Sequence, residues 1–311
     1  MSYYDREPRR HLSFAQLNNS LVTLIAINLV IFVTLAFVQA VYFLQYGDSG
    51  NAIPRFNADW VSWFALPADP DTLLTHPWTI LTYMFTHTGV WHVIGNMLWL
   101  WVFGYILQDL TGTKKLVPLY LYGALGGALV FILAYNIFPG LRPQLPYQTL
   151  IGASAGVMAI AVAVTTISPG YRVLPVLNGG IPIWIIMIIY LIIDLAGIPS
   201  GNTGGHLAHL AGALMGFLFV VSFRRGYDWG AWINNFFEWI NNLFNPEKPK
   251  RGRVIKSELF YKSKSQPYKK TANVTEQRID EILDKISVKG YDSLTDDEKD
   301  LLKRASGKNE Q

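Results

Sequence analysis

The residues whose side chains could most readily take part in a reaction are one serine, two histidines and an asparagine, each inside a long apolar stretch. Ser154 lies in IGASAGVMAI, His209 in GGHLAHLAGALMG, and His92 and Asn96 in WHVIGNMLWL. A serine hydroxyl becomes a nucleophile when a base within hydrogen-bond reach accepts its proton, and a neutral imidazole suits that role. We therefore expect Ser154 and His209 to be the nucleophile and the base of an acyl-transfer reaction.

Acyl transfer also creates an oxyanion, which needs hydrogen-bond donors aimed at it. Asn96 offers a side-chain amide, His92 a ring N–H, and Ser154 its own backbone amide. Because Asn96 lies four residues after His92, the two share one face of a helix. Gly152 and Ala153, just before the serine, leave room for a substrate backbone. His92 and Asn96 are thus the predicted oxyanion-stabilising residues, and Gly152 and Ala153 the predicted substrate-binding turn.

The same residues also have structural interpretations, which the sequence leaves open. A serine in an apolar helix often hydrogen-bonds its own backbone, and a histidine among small residues often stabilises helix packing. His206 lies three residues before His209 on the same helix face and is interpreted as a rim residue. Asp194 is the one acid available to orient His209, but it receives no role. The minimal prediction is therefore a Ser154–His209 dyad.

Thiol and metal chemistry are disfavoured by the composition and the spacing. The chain contains no cysteine, which excludes thiolate metal sites, cysteine nucleophiles and disulfide scaffolds. It has no HExxH motif of the kind that binds zinc in metalloproteases. His87 and His92 are five residues apart, which places them off a common helix face. We expect no metal site.

The elements that carry the candidate residues are predicted to be membrane-spanning helices. The 311 residues are 51% hydrophobic and 15% charged, against about 25% charged in ordinary soluble domains. A helical span needs about 20 apolar residues, and the fourth and fifth runs are short, which predicts helices buried among the others. The six apolar runs are roughly 20–45, 85–110, 115–137, 150–168, 181–198 and 205–223.

The distribution of lysine and arginine predicts the orientation of these spans. Cations lie before the first span, in the loop between the second and third, and after the sixth, whereas the long first loop is mainly acidic. Both termini are therefore predicted to be cytoplasmic. In this topology Ser154, His209 and the His92–Asn96 pair come from three helices and lie one or two turns below the outer surface.

The chain divides into five predicted segments. The run WGAWINNFFEWINNLF has a broad apolar face that suits a helix in the membrane interface. Nine lysines and arginines between Lys248 and Lys270 predict a basic linker able to contact anionic lipid. Thr295 and Glu298 fit a capping box at the start of a helix. The segments are a cytoplasmic N-terminus (1–19), a six-span domain (20–223), an interfacial helix (229–244), a basic linker (245–272) and a cytoplasmic helical hairpin (273–306).

With these residues laid out, the stretch from about 75 to 222 resembles the rhomboid intramembrane serine proteases. The family pattern HxxxxHxxxN appears as His87, His92 and Asn96, and the GxSx turn ends at Ser154. The sixth-span pattern GxxxAHxxG contains His209. One departure concerns Met158, which stands where many members carry an aromatic residue stacked on the histidine, so His209 must be oriented by another group.

The resemblance implies an all-α membrane protein: a rhomboid-like bundle of six transmembrane helices, here followed by a small helical hairpin, with a water-filled cavity open to the outside. It implies Ser154 as nucleophile, His209 as base, and His92 and Asn96 at the oxyanion site, without a cofactor. The C-terminal tail is similar to that of some bacterial members, so we expect a bacterial inner (cytoplasmic) membrane location.

The sequence thus predicts an intramembrane serine endopeptidase. We expect it to cleave single-span membrane proteins near the outer face of the lipid bilayer, and we expect no nucleic-acid partner. One alternative is a catalytically inactive rhomboid-like protein that binds client helices, although this chain retains Ser154 and His209. Another is a small transporter that uses the intramembrane histidines, although the paired broken helices of such folds are missing. The natural substrate and the oligomeric state do not follow from the sequence.

Overall fold

The computed structural model describes residues 19–173, 179–199, 201–243 and 276–306. The predictions for 1–18 and for the basic linker therefore lie outside the described residues. The chain divides into two compact units, Met1–Phe244 and Asn245–Gln311, which are considered separately. Helices dominate the described part of both units, and the predicted all-α class of membrane bundle is confirmed.

Six apolar helices build the first unit. Four of them are long and apolar enough to cross a membrane, and the other two are shorter apolar helices of 14 and 15 residues. The six are α1 (Ser20–Tyr46), α5 (Val90–Thr111), α6 (Leu116–Ile137), α7 (Ser154–Ile167), α8 (Ile183–Gly197) and α9 (Thr203–Arg224). The remaining helices of this unit are α2 (Ser49–Asp59), α3 (Pro70–Thr75), α4 (Thr79–Thr82) and α10 (Ala231–Leu243).

Two small antiparallel strand pairs join the loops between helices. Leu66–Pro67 (β1) pairs with Thr149–Leu150 (β2), and Arg172–Val173 (β3) pairs with Ile181–Pro182 (β4). The first pair explains why α7 begins later than the apolar run suggests. Since residues 149–150 are extended and paired, the helix starts only at Ser154, after a sharp turn.

Small residues bring α6, α7 and α9 into close contact. A Cβ atom added at Gly212 would lie 2.1 Å from the carbonyl oxygen of Ala155, and one at Gly216 would lie 2.1 Å from that of Ala159. Only glycine allows the backbones of α7 and α9 to approach so closely, as is common where helices pack in membranes. This packing determines how far the serine helix lies from the histidine helix.

The two short helices differ sharply in burial. Nine of the 14 residues of α7 are buried, but in α8 only Ile183, Met187 and Asp194 of 15 residues are. The prediction that both short helices are buried among the others is confirmed for α7 and wrong for α8. The physical reason is side-chain size, because α8 consists largely of isoleucine and other bulky residues that face outwards.

Helix α10 follows the six apolar helices and contacts α6 through hydrogen bonds. The indole N–H of Trp232 donates to the Tyr122 hydroxyl at 2.6 Å, and that hydroxyl donates to the backbone oxygen of Trp229 at 3.0 Å. Its apolar face includes the exposed Phe236 and Trp239. A position in the membrane interface remains a prediction.

The second unit contains a helical hairpin, formed by α11 (Glu276–Lys289) and α12 (Asp296–Ser306). Ile282, Leu294 and Leu301 form its small core. The capping box at its second helix is confirmed: the Thr295 amide donates to Glu298 Oε2 at 2.8 Å, and the Glu298 amide donates to Thr295 Oγ1 at 3.4 Å.

Candidate active site

Ser154 is the first residue of α7, at the end of a turn that three backbone features hold in place. Gly152 adopts a φ of +112°, a conformation that favours glycine, and its amide donates to the carbonyl oxygen of Tyr83 at 2.9 Å. The next amide, that of Ala153, donates to Nε2 of His87 at 3.3 Å. The segment before α5 therefore holds the turn that presents the serine.

Helix α9 places His209 directly against this serine. Nε2 of His209 lies 2.7 Å from Oγ of Ser154, within the range in which a base accepts the proton of a hydroxyl group. The two residues are 55 positions apart, and the glycine-mediated contact between α7 and α9 brings them together. The structure thus joins the two residues for which the sequence predicts nucleophile and base.

An acid that the sequence left without a role completes a chain of three polar side chains. Oδ1 of Asp194, on α8, lies 2.8 Å from Nδ1 of His209. The same oxygen lies 2.8 Å from Nδ1 of His206. Asp194 is only 3% exposed. The sequence interpretation of His206 as a rim residue did not include this hydrogen bond to a buried acid. The sequence signal for this role was the presence of Asp194 in an apolar run, because burying an ionisable side chain in a membrane costs free energy unless it has a polar partner.

The Asp194 contact also accounts for the departure noted at Met158. Met158 is buried in α7 and lines the same cavity as His209, so no aromatic ring from that position stacks on the histidine. Because a carboxylate accepts hydrogen bonds and cannot donate them, the contact with Nδ1 orients the imidazole instead. The sequence expectation that another group must orient His209 is met by Asp194.

The predicted oxyanion residues lie beside the serine turn. The ring of His92 packs against Gly152 so closely that a Cβ atom there would lie 2.7 Å from Nε2 of His92. Asn96 donates one amide hydrogen to the carbonyl oxygen of His92 at 2.9 Å, which leaves its second amide hydrogen for another acceptor. The first amides of α7, including that of Ser154, have no partner within the helix. His92, Asn96 and Ser154 therefore line one cavity, to which each can contribute a hydrogen-bond donor.

His87 has a position that the sequence spacing did not predict. Its ring lies 4.9 Å from that of His92, centroid to centroid, although the spacing placed the two off a common helix face. The two residues do not share a helix face, because α5 begins only at Val90 and His87 precedes it, but the loop before the helix brings the two rings together. Its side chain is fully buried and accepts the amide of Ala153, which makes it a support of the serine turn.

A cavity of about 400 Å³ opens beside the serine and the histidine. It is large enough for several side chains of a bound segment, since small-molecule pockets of proteins begin near 300 Å³. Both polar groups and apolar rings line it, so a peptide segment with mixed character fits its surface. Its lining includes Trp91, His92, Asn96, Ser154, Tyr190 and His209.

The Asp194 cluster is also the arrangement, among the described residues, that comes nearest to a metal site. Each of these three residues has one possible ligand atom, and the three atoms, from Asp194, His206 and His209, lie within 4.8 Å of one another. These atoms are already paired with each other at hydrogen-bond distance. The observed geometry is that of an acid shared by two imidazole rings.

Comparison with known proteins assigns most of the apolar region to one family model. Residues 74–226 match the model of the Rhomboid domain, and residues 263–308 match a Family of unknown function (DUF6576). The second match includes the helical hairpin of the second unit.

Individual relatives match the chain at modest identity. RHOMBOID-like protein 12, mitochondrial, of Arabidopsis thaliana is 27% identical over 48% of this chain and 47% of its own length. Rhomboid-related protein 1 of Caenorhabditis elegans is 29% identical over 46% and 38%. Presenilin-associated rhomboid-like protein A, mitochondrial, of Danio rerio is 31% identical over 44% and 35%. The chain therefore spans less than half the length of each of these relatives.

Proposed function

This chain belongs to the rhomboid family, and on that premise we propose that it is an intramembrane serine endopeptidase. It is an integral membrane protein. The observation that carries the proposal is the 2.7 Å contact between Oγ of Ser154 and Nε2 of His209 at the wall of an open cavity. A serine held against a histidine among apolar helices fits acyl transfer better than it fits helix packing alone.

The proposed reaction follows the order of a serine protease. Nε2 of His209 accepts the hydroxyl proton while Oγ of Ser154 attacks the scissile carbonyl carbon. His209 then donates that proton to the departing amine, and an acyl-enzyme remains on Ser154. Water attacks this ester, again with His209 as base, and the acid product leaves.

The oxyanion formed in each step needs donors that are already in place. The candidate donors are the Ser154 amide at the start of α7, the free amide hydrogen of Asn96 and the ring of His92, whose residues line the same cavity. Replacing Asn96 by Ala should lower kcat by about 10²-fold with KM little changed, since removing one such donor weakens only the transition-state contact. A large rise in KM with unchanged kcat would instead assign Asn96 to substrate binding.

The proposed substrates are single-span membrane proteins with small residues at the cleaved bond. Gly152 and Ala153 are buried, and the ring of His92 packs against Gly152. This turn therefore offers a substrate backbone less room than the sequence suggests, which favours small residues at the cleaved bond. Lysine and arginine are concentrated in the segments on one side of the spans, which supports a cytoplasmic location of both termini. In that orientation the site lies near the outer face of the membrane. Location in a bacterial inner membrane is part of the proposal, while the relatives named above are from a plant, a nematode and a fish.

The test is cleavage of a single-span substrate by the purified full-length protein in liposomes. Wild type is compared with Ser154→Ala and His209→Ala, which should lose about 10²–10⁴-fold or more of the rate. Ser168→Ala is the matched control, because Ser168 lies at the opposite end of the same helix and should leave the rate unchanged.

A second readout separates an unsuitable substrate from a lack of catalysis. A fluorophosphonate that reacts with activated serines should label wild type at Ser154 and leave Ser154→Ala unlabelled. Folded wild-type protein that neither cleaves several substrates nor reacts with the probe would contradict the proposed function. Retained binding of the substrate helix in that case would favour a client-binding protein.

A further inference from the structure

We propose that Asp194 is a positioning residue, whose carboxylate selects the tautomer of His209 in which Nε2 faces Ser154 as a proton acceptor. This rests on the proposed function, because the tautomer matters for catalysis only if His209 is the base. Among the described residues, the hydrogen bonds of Asp194 are with His206 and His209 and not with Ser154. Asp194 therefore acts on the serine through the imidazole ring of His209.

The direction of the hydrogen bonds follows from the chemistry of the three groups. Oδ1 of Asp194 lies 2.8 Å from Nδ1 of His209, and a carboxylate has no hydrogen to donate. Nδ1 must therefore carry the single ring hydrogen of the neutral imidazole. Nε2 is then unprotonated, and the hydroxyl of Ser154, 2.7 Å away, donates to it. The opposite tautomer would leave the buried carboxylate facing a lone pair.

His206 holds the carboxylate independently of His209. Its Nδ1 lies 2.8 Å from the same oxygen of Asp194, and its ring packs on Gly197, where an added Cβ would lie 2.5 Å from Nε2 of His206. Asp194 therefore keeps one partner while His209 gains and releases a proton. The negative charge beside Nδ1 also stabilises the imidazolium that forms during the reaction.

A purely structural role for Asp194 makes different predictions. Asp194 is one of only three buried residues of α8, so its contacts with α9 also attach that helix to the bundle. Loosening α8 would lower the thermal stability and alter substrate binding. It would leave the tautomer preference of His209 without a cause to change. The experiments therefore measure the tautomer of His209, and kcat separately from KM.

The first measurement is nitrogen NMR of the full-length protein in detergent, labelled with ¹⁵N only in histidine. The chain has six histidines, and the signal of His209 is identified by its absence in His209→Gln. Wild type should show His209 protonated at Nδ1. Asp194→Asn should lose this preference, since a carboxamide of the same shape can donate as well as accept. His206→Gln should retain it.

The second measurement is kinetic. Asp194→Asn should lower kcat by about 10³-fold with KM within a few-fold of wild type, since a wrong tautomer removes the base without removing the binding site.

The control is Ile192→Ala, which alters α8 on a face that is 58% exposed and should change neither the His209 signal nor kcat. A wild-type spectrum with His209 protonated at Nε2 would overturn the proposal without any variant. So would an active wild type whose Asp194→Asn variant keeps its kcat and its tautomer. If wild type neither cleaves substrates nor reacts with the fluorophosphonate while the tautomer depends on Asp194, the protease function fails and the positioning contact stands.

Discussion

Helices α7 and α8 are apolar and of nearly equal length, 14 and 15 residues, but different interactions hold them in the bundle. Helix α7 is surrounded by α6 and α9, and its backbone meets glycines on both neighbours, such as Gly123 on α6 and Gly212 on α9. Helix α8 has a mostly exposed surface and reaches α9 through the buried carboxylate of Asp194. The proposed nucleophile, Ser154, therefore lies on the tightly packed helix, and Asp194 lies on the loosely packed one.

This difference between α7 and α8 shows two ways in which a membrane bundle can position polar side chains. Lipid tails are as apolar as side chains, so the hydrophobic effect does little to hold helices together, and close packing or hydrogen bonds must do so. Packing positions Ser154 through backbone contacts that allow no adjustment. Hydrogen bonds position Asp194, while many of the bulky side chains of α8 are exposed. The first kind of contact should fail when a methyl group is added, and the second when a donor is removed.

The largest effect is expected from Gly216→Ala in α9. The new methyl group would lie 2.1 Å from the carbonyl oxygen of Ala159, and a backbone atom cannot move aside as a side chain can. Separating α7 from α9 should cost about 3 kcal/mol of stability, measured as a fall in Tm in detergent. Gly95→Ala is the control, because nothing lies within 4 Å of a Cβ atom there. Equal Tm values for the two variants would show that the contact between α7 and α9 is not tight.

The next prediction applies the same substitution to both short helices. Ile160 of α7 is fully buried, whereas Ile192 of α8 is 58% exposed. Ile160→Ala should cost about 2 kcal/mol through the cavity that it leaves, while Ile192→Ala should change the Tm by less than the error of the measurement. A comparable loss in the two variants would mean that α8 is covered on its exposed face, for example by a second copy of the chain.

A smaller and local effect is expected from His206→Gln. This change removes the Nδ1 donor to Asp194 and leaves the contact of His209 in place. A hydrogen bond to a charged group contributes about 1.5 kcal/mol, so amide hydrogen exchange in α8 should become about tenfold faster. Exchange in α7 should not change, because its packing is untouched. Mass spectrometry of peptides from the two helices measures both rates, and a uniform change would argue against a separate attachment of α8.

The smallest effect concerns a polar contact in water, which contrasts with the buried one at Asp194. In the hairpin of the second unit, a side-chain hydrogen bond from Lys285, together with the Thr295 amide, lowers the pKa of Glu298 to about 2. The ionised form is favoured in the folded hairpin, so this contribution to its stability is complete above the ordinary pKa of 4.5 and is lost as the pH falls towards 2.

NMR of the Thr295 amide proton, which donates to Glu298 Oε2 at 2.8 Å, follows this titration directly. Its chemical shift should titrate with a midpoint near pH 2 in wild type, and the transition should vanish in Glu298→Gln. A midpoint near 4.5 would show that the contacts of Lys285 and Thr295 with Glu298 do not persist in solution. The exposed contact would then differ from the buried one even more strongly.

Local sequence patterns were sufficient for the apolar helices and for selecting Ser154 and His209 as the candidate nucleophile and base. An apolar run of about 20 residues has few alternatives to a membrane helix, because its backbone groups must be paired internally. The capping box at Thr295 was equally local, since it needs only residues three positions apart. Ser154 and His209 could be paired because their chemistry restricts the choice and because the motif patterns of the family agree with it.

The tertiary structure alone decided which polar residues meet and which short helix is buried. Asp194 is 15 residues from His209, across a turn that no periodicity describes, and its distance to both histidines depends on how α8 leans on α9. His87 likewise contacts Ala153 because neither residue is inside a helix. Helix α5 starts only at Val90, and residues 149–150 are paired as a strand, so α7 starts only at Ser154. Composition thus determined that this chain forms membrane helices, and residue type with motif spacing selected Ser154 and His209 as candidates for the chemistry. The packing of bulky and small side chains determined their geometry, since contacts between distant segments depend on the whole bundle and not on any local run of residues.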